Sequence, residues 1–212
     1  MKRIALIYLL VLLSLSRGVF AADAHFDALN AIRLNDIAKV EELLAKGLDV
    51  NTTDSSANSL LMLAVRENHQ DLVTLLLDRK AKVGARNSFG ETALMLAAAR
   101  GNLEVVQSLI GHGAAINQTG WTPLIYAAWQ GETEIVKFLL GKGAEIDAVS
   151  PNGVSALMLA ARSGHLETVR LLLWEVADPN LKSDTGGTAL AWAIKAGNTA
   201  AAELLKQAGA KE

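Results

Sequence analysis

Four histidines, His25, His69, His112 and His165, are the candidate metal ligands and general bases of this 212-residue chain. A zinc site or a proton relay needs such groups to converge. His69 and His165 instead each follow a turn-forming residue, Asn68 and Gly164, which marks a recurring structural position rather than a ligand pair. Gly111-His112-Gly113 and Gly141-Lys142-Gly143 look like phosphate loops, but both close an apolar helical run. A phosphate loop must open a helix, so these are read as helix ends. Met62, Met95 and Met158 recur in phase, a pattern that soft-metal or redox chemistry could use. Methionine also fills irregular core gaps, and core is the reading adopted. The acids Glu41, Glu42, Glu104, Glu134 and Glu167 fall on solvated helix faces and do not form a facing pair. Zero cysteines exclude disulfides, thiol catalysis and cysteine-ligated zinc. With 20 basic and 22 acidic residues the chain has no electrostatic case for nucleic acid. Neither a catalytic residue, a cofactor nor a metal is expected.

These residues sit in elements that repeat. The small residue after each first helix recurs as Asn35, Asn68, Gly101, Gly131, Gly164 and Gly197, at spacings of 33, 33, 30, 33 and 33. A second marker keeps the same period: Asn51, Gly84, Asn117, Asp147 and Asn180. In the most regular unit, Gly90 to Asn117, Thr92 is an N-cap, and Leu94, Leu96, Ala97 and Ala98 make a short apolar helix. Gly101 supplies the turn, and Val105, Val106, Leu109 and Ile110 have helical spacing. Gly113 is a left-handed C-cap. Helix pairs this short bury their apolar faces only by stacking on copies of themselves.

On these residues the chain resembles the ankyrin repeat family, over about residues 24–212. The family's T-P-L-H start appears as Thr122-Pro123-Leu124-Ile125, Thr92-Ala93-Leu94-Met95, Ser155-Ala156-Leu157-Met158 and Thr188-Ala189-Leu190-Ala191. Its G-A-x-x-N close appears as Gly113 to Asn117, with Gly143 to Asp147 near it. The resemblance implies an all-α repeat, an ankyrin solenoid of about six helix-turn-helix repeats with short β-hairpin fingers. The repeats fall at about 24–51, 52–84, 85–117, 118–147, 148–180 and 181–212. Met62, Met95, Ile125, Met158 and Ala191 replace the family's histidine, so the seam between repeats is expected to be apolar. Lys80 and Val176 replace C-cap glycines, and a β-branched Val176 should be strained at positive φ.

The family's partners usually meet the fingertips and the exposed ends of the inner helices. By position that selects Arg66, Phe89, Arg100, Trp121, Trp129 and Arg162 as partner-binding residues. Tryptophan and arginine are the residues that dominate interface hot spots. Trp121 and Trp129 replace polar or small residues and are expected to be exposed. Tyr126 and Trp192 replace Leu63, Leu96 and Leu159 and are expected in the core. Eight residues separate Gly84 from Thr92 and Asp147 from Ser155, but five separate Asn117 from Thr122. The shortened finger should leave a notch beside Trp121 and Phe89.

Lys2 and Arg3, an apolar run from Ile4 to Leu13, and small residues at Ala21 and Ala24 read as a secretory signal peptide over residues 1–21. Cleavage after Ala21 or after Ala24 is compatible with this pattern. Removal of residues 1–21 takes three positive charges and no negative ones, leaving -2 - 3 = -5. The expected product is a periplasmic or secreted monomer, not inserted in a membrane, that binds another protein and stabilises or inhibits it. Two other readings are a small-ligand binder or enzyme using the notch, and a secreted effector acting on proteins of a host or neighbouring cell.

Overall fold

Each inner helix starts where a hydroxyl can satisfy an orphan backbone N–H. In the computed structural model, which describes residues 23–211, Ser59, Thr92, Thr122, Ser155 and Thr188 accept from Met62, Met95, Ile125, Met158 and Ala191 N–H groups at 3.2–3.3 Å. Pro123 occupies the first turn of its helix, where no N–H is needed. Residues 1–21, read from sequence as a signal peptide, lie outside the described residues.

The chain divides into two compact units, one ending at Lys82 and the other beginning at Val83. In the first, α1 (residues 23–33) and α2 (Ile37–Ala45) precede the pair α3 (Leu60–Arg66) and α4 (Gln70–Asp78). The second contains four pairs: α5 (Ala93–Ala99) with α6 (Leu103–Gly111), α7 (Pro123–Gln130) with α8 (Thr133–Gly141), α9 (Ala156–Ser163) with α10 (Leu166–Trp174), and α11 (Ala189–Lys195) with α12 (Thr199–Gln207). Here α5, α7, α9 and α11 stack in series as an inner row, with α6, α8, α10 and α12 as the outer row. The fold class is an all-α repeat.

Packing follows from the patterning. Inner helices are apolar nearly all round: Leu60 to Val65 of α3 and Ala156 to Ala161 of α9 are buried without a break. Outer helices bury one stripe, such as Val105, Val106 and Leu109 in α6, and keep charges outside. Met62, Met95 and Met158 are core side chains. The seam is not wholly apolar, however. The Met95 sulfur accepts from the Thr92 N–H at 3.3 Å and the Gln118 side-chain amide at 3.5 Å, so a weak polar link stands where hydrocarbon packing was expected.

The two periodic markers have distinct jobs. Asn35, Asn68, Gly101, Gly131, Gly164 and Gly197 all take positive φ at the mid-repeat turn. Asn51, Asn117, Asp147 and Asn180 each accept the backbone N–H of Lys82, Glu145, Asp178 and Lys211 respectively, at 2.8–2.9 Å, tying each loop to the next. Gly84 holds the same place in the series and has no side chain to do so.

The fingers are simpler than β-hairpins. Among the described residues they form two isolated bridges, Thr53 with Ser59 and Val149 with Ser155, and no extended ladder. Each long finger is instead a tight turn closed by its first residue. Asp54, Asn87, Ser150 and Ser183 accept the N–H three residues on and donate to the carbonyl four residues on. Their side-chain oxygens take the opposing N–H groups of Asn58, Glu91, Val154 and Gly187. Five residues leave no length for paired strands, so one polar side chain substitutes for them.

Candidate protein interface

The shortened finger has lost this closing residue. In its place Gln118 donates to the Trp121 carbonyl at 2.8 Å and accepts from Arg86 Nη2 at 2.8 Å. Arg86 Nη1 also holds the Gly90 carbonyl of the preceding finger at 2.9 Å. Without a projecting tip, Trp121 turns toward the inner helix α7. Its ring packs edge-on to Tyr126 at 5.8 Å between centroids and lies 6.5 Å from Trp129, with Tyr126 6.4 Å from Trp129.

This aromatic cluster is braced from below. The Tyr126 hydroxyl donates to Glu91 Oε1 at 2.9 Å, while Asn87 Nδ2 donates to Glu91 Oε2 at 2.8 Å. Burial, followed by the hydrogen bond to the Glu91 carboxylate and its charge, pushes the Tyr126 hydroxyl well above the ordinary phenol range. The phenol therefore stays protonated and remains the donor. Trp129 is also fixed from the next repeat, because His165 Nε2 lies 2.9 Å from the Trp129 carbonyl. A carbonyl only accepts, so the proton sits on Nε2. His69 reaches the Arg33 carbonyl at 3.5 Å in the first unit, and Asn198 donates to the Arg162 carbonyl at 2.8 Å. His69 and His165 thus reach from one repeat to the preceding one, whereas His112 Nδ1 meets the Ser108 carbonyl of its own helix at 2.8 Å.

The sequence-selected residues separate into groups. Trp129 is 46% exposed, as expected, whereas Trp121 is half-buried and not exposed, because its ring packs into the aromatic cluster. Phe89 is 76% exposed on the neighbouring fingertip, and Arg100 is exposed at the end of α5. Arg162, at the end of α9, lies over the Trp192 ring with its guanidinium carbon 5.6 Å from the centroid. Arg66 belongs to the first unit, where its Nε lies 3.9 Å from Glu67 and its charge faces Asp54.

Tyr126 and Trp192 correct the sequence expectation, since both are half-buried and not core. Their register is the rim of the inner row. Leu63 and Leu159 are covered there, but Leu96 is already half-buried at the same register, and a larger ring extends past the edge. By register Glu91 and Gln118 are fingertip residues and Lys195 an inner-helix end, but the sequence did not show that Glu91 and Gln118 brace the cluster, and it did not single out Arg86. The lost finger residues were the available clue, since something had to close that turn.

The groove beside the short finger has a volume of about 420 Å³ and is lined by Asn117, Gln118, Thr119, Gly120, Glu145, Ala148 and Val149. Glu145 is the one acidic or basic residue of that lining, and Thr119 contributes a hydroxyl. Among the described residues no three histidine, aspartate or glutamate side chains group to hold a metal, and no helix is long and apolar enough to cross a membrane.

A family model for ankyrin repeats in three copies matches residues 61–150 and 142–212. Zygote-specific protein 3 of Chlamydomonas reinhardtii is 40% identical over 118 residues, 54% of this chain and 31% of that protein. The putative ankyrin repeat protein FPV031 of Fowlpox virus is 37% identical over 103 residues, 47% of this chain and 30% of its own length. Glycerophosphocholine phosphodiesterase gde1 of Schizosaccharomyces pombe is 40% identical over 80 residues, covering 37% of this chain but 7% of the enzyme. The chain thus spans less than a third of each of these relatives. The helix pairs, their hydroxyl caps and the family match agree, and the chain belongs to the ankyrin repeat family.

Proposed function

We propose that this protein is a non-catalytic, exported scaffold that binds one face of another protein through the Trp129 cluster, flanked by Phe89 and Arg100. Ankyrin repeats are general protein–protein interaction modules. The observation that carries the finer reading is a pre-positioned aromatic group with an exposed tryptophan. Trp121 and Tyr126 hold Trp129 in place, and Glu91 and Gln118 hold them in turn. Rigid aromatic anchors lose little conformational freedom on binding and supply large contact area. Arg162 occupies the corresponding inner-helix end of α9 and extends the basic component.

The leader composition supports export, and Ala24 is buried within α1, which supports cleavage after Ala21 over cleavage after Ala24. The working form is then a periplasmic or secreted monomer that stabilises or inhibits its partner.

The test is a photo-crosslinking residue placed at 129, at 89, and at Lys137 on the outer helix α8. Crosslinking in the exporting cell should give the same discrete protein adduct from positions 129 and 89 and none from 137. Equal adducts from all three positions, or adducts from 137 alone, would exclude the inner row as the binding face.

A further inference from the structure

A second feature of the inner row is a pocket of about 430 Å³ lined by Arg162, Thr185, Trp192, Lys195 and Ala196. Its floor depends on two coupled substitutions in the last repeat. Trp192 stands where other repeats carry Leu63, Leu96 and Leu159, and Gly187 stands where other fingers carry Asn58, Glu91 and Val154. A Cβ at Gly187 would overlap the Trp192 indole nitrogen, so the glycine makes room for the ring. The Arg162 guanidinium carbon lies over that ring, 5.6 Å from its centroid, a cation–π approach that places the cation at the pocket. Arg162 and Lys195 are both exposed, and neither enters an ion pair among the described residues. Thr185 adds a hydroxyl at the rim, 3.1 Å from that of Ser183.

Two unpaired cations converge on an aromatic floor in a chain whose net charge is negative. We infer that this pocket takes a carboxylate side chain from an acidic segment of the protein partner, seated between Arg162 and Lys195 with its hydrocarbon part on Trp192. A carboxylate matches the planar guanidinium fork in two parallel hydrogen bonds, and Lys195 supplies a second point charge. An aliphatic stem packs against the ring surface beside the Arg162 guanidinium, which bare inorganic anions leave uncovered. The inference rests on the protein-binding reading and names the chemistry of that partner at one end of the row.

The probe is an acetylated, amidated hexaglutamate peptide, titrated into the ¹⁵N-labelled protein. The readout is the Trp192 indole N–H resonance, assigned by its loss in Trp192→Phe. A saturable shift is expected with hexaglutamate and none with hexaglutamine. Lys195→Gln, which leaves the ring contact intact, should weaken binding about tenfold with an unchanged melting temperature, and Arg162→Gln, which also loses its contact with the ring, should weaken binding about tenfold. No saturable shift at millimolar hexaglutamate, or full affinity in Lys195→Gln, would overturn the assignment. Inorganic phosphate binding as tightly as the peptide would also overturn it, leaving a small-anion pocket. Crosslinking at position 129 is independent of this pocket, so either result is read without the other.

Discussion

Val176→Gly should raise stability, although it removes a side chain and adds none. Val176 follows the C-cap of α10 with φ of 69°, and at the equivalent place Gly47, Gly113, Gly143 and Gly209 have φ between 85° and 97°. The backbone is held there by the N–H of Val176 on the Leu173 carbonyl and that of Ala177 on the Leu172 carbonyl. The valine side chain is 81% exposed, so little burial is lost with it. Left-handed backbone costs an L-residue roughly 1–2 kcal/mol, and β-branching puts valine toward the upper end. Glycine gives back about 0.4–1 kcal/mol through the greater entropy of the unfolded chain. The net gain is about 1 kcal/mol, which raises Tm by roughly 2–4 °C in a domain of this size. Circular dichroism melts and urea titrations at equal protein concentration measure it. The midpoint should rise with the slope unchanged. Lys80→Gly, at φ of 66° without β-branching, should gain less. An unchanged or lower Tm for Val176→Gly would refute the idea that backbone strain is stored at this turn.

Gly84→Asn should restore the missing loop tie by accepting the Ala115 N–H, the donor 31 residues on as in Asn51 to Lys82, and stabilise by about 0.5–1.5 kcal/mol in urea. Gly84 has open space for a Cβ, so no clash opposes the gain. Glu132→Asn should stabilise by about 0.5–1 kcal/mol, read from the melting temperature, because a carboxylate cannot donate to the α5 carbonyls as Asn198 donates to those of α9. Asp54 gives an acid-sensitive contribution. Partial burial raises its carboxyl, but hydrogen bonds from the Asn58 side chain and backbone and the Ser56 N–H, with the Arg66 charge, outweigh this and hold it below the ordinary range. Its contribution is therefore present above the unfolded value of about 3.9 and lost as pH falls through the folded value. Asp54→Asn keeps the acceptor, as Asn87 does in the next finger, and should lose less stability than wild type between neutral pH and about pH 3.

The helices were legible because their signals are local. A hydroxyl cap, an apolar run and a positive-φ turn residue each act within a few positions, and Thr92, Leu94 and Gly101 can be read in order. Val176 and Lys80 were also legible, since period alone placed them where the backbone turns left-handed. The arrangement of the candidate surface was legible only in outline. Whether Tyr126 and Trp192 lie in the core or at its rim depends on how far a ring extends past the neighbouring repeat, which no single-repeat pattern records. The roles of Glu91 and Gln118 depend on partners 35 and 32 residues away. The two-bridge fingers were overdrawn as hairpins because Asn87 and Ser183 close the turns with side chains instead of ladder bonds.

The affinity of Trp129→Ala for the crosslinked partner, measured by calorimetry beside its melting curve, tests the central claim most directly. A buried aromatic anchor predicts a loss of at least about 2 kcal/mol in binding with the fold intact. Undiminished affinity in a fully folded Trp129→Ala protein would contradict it.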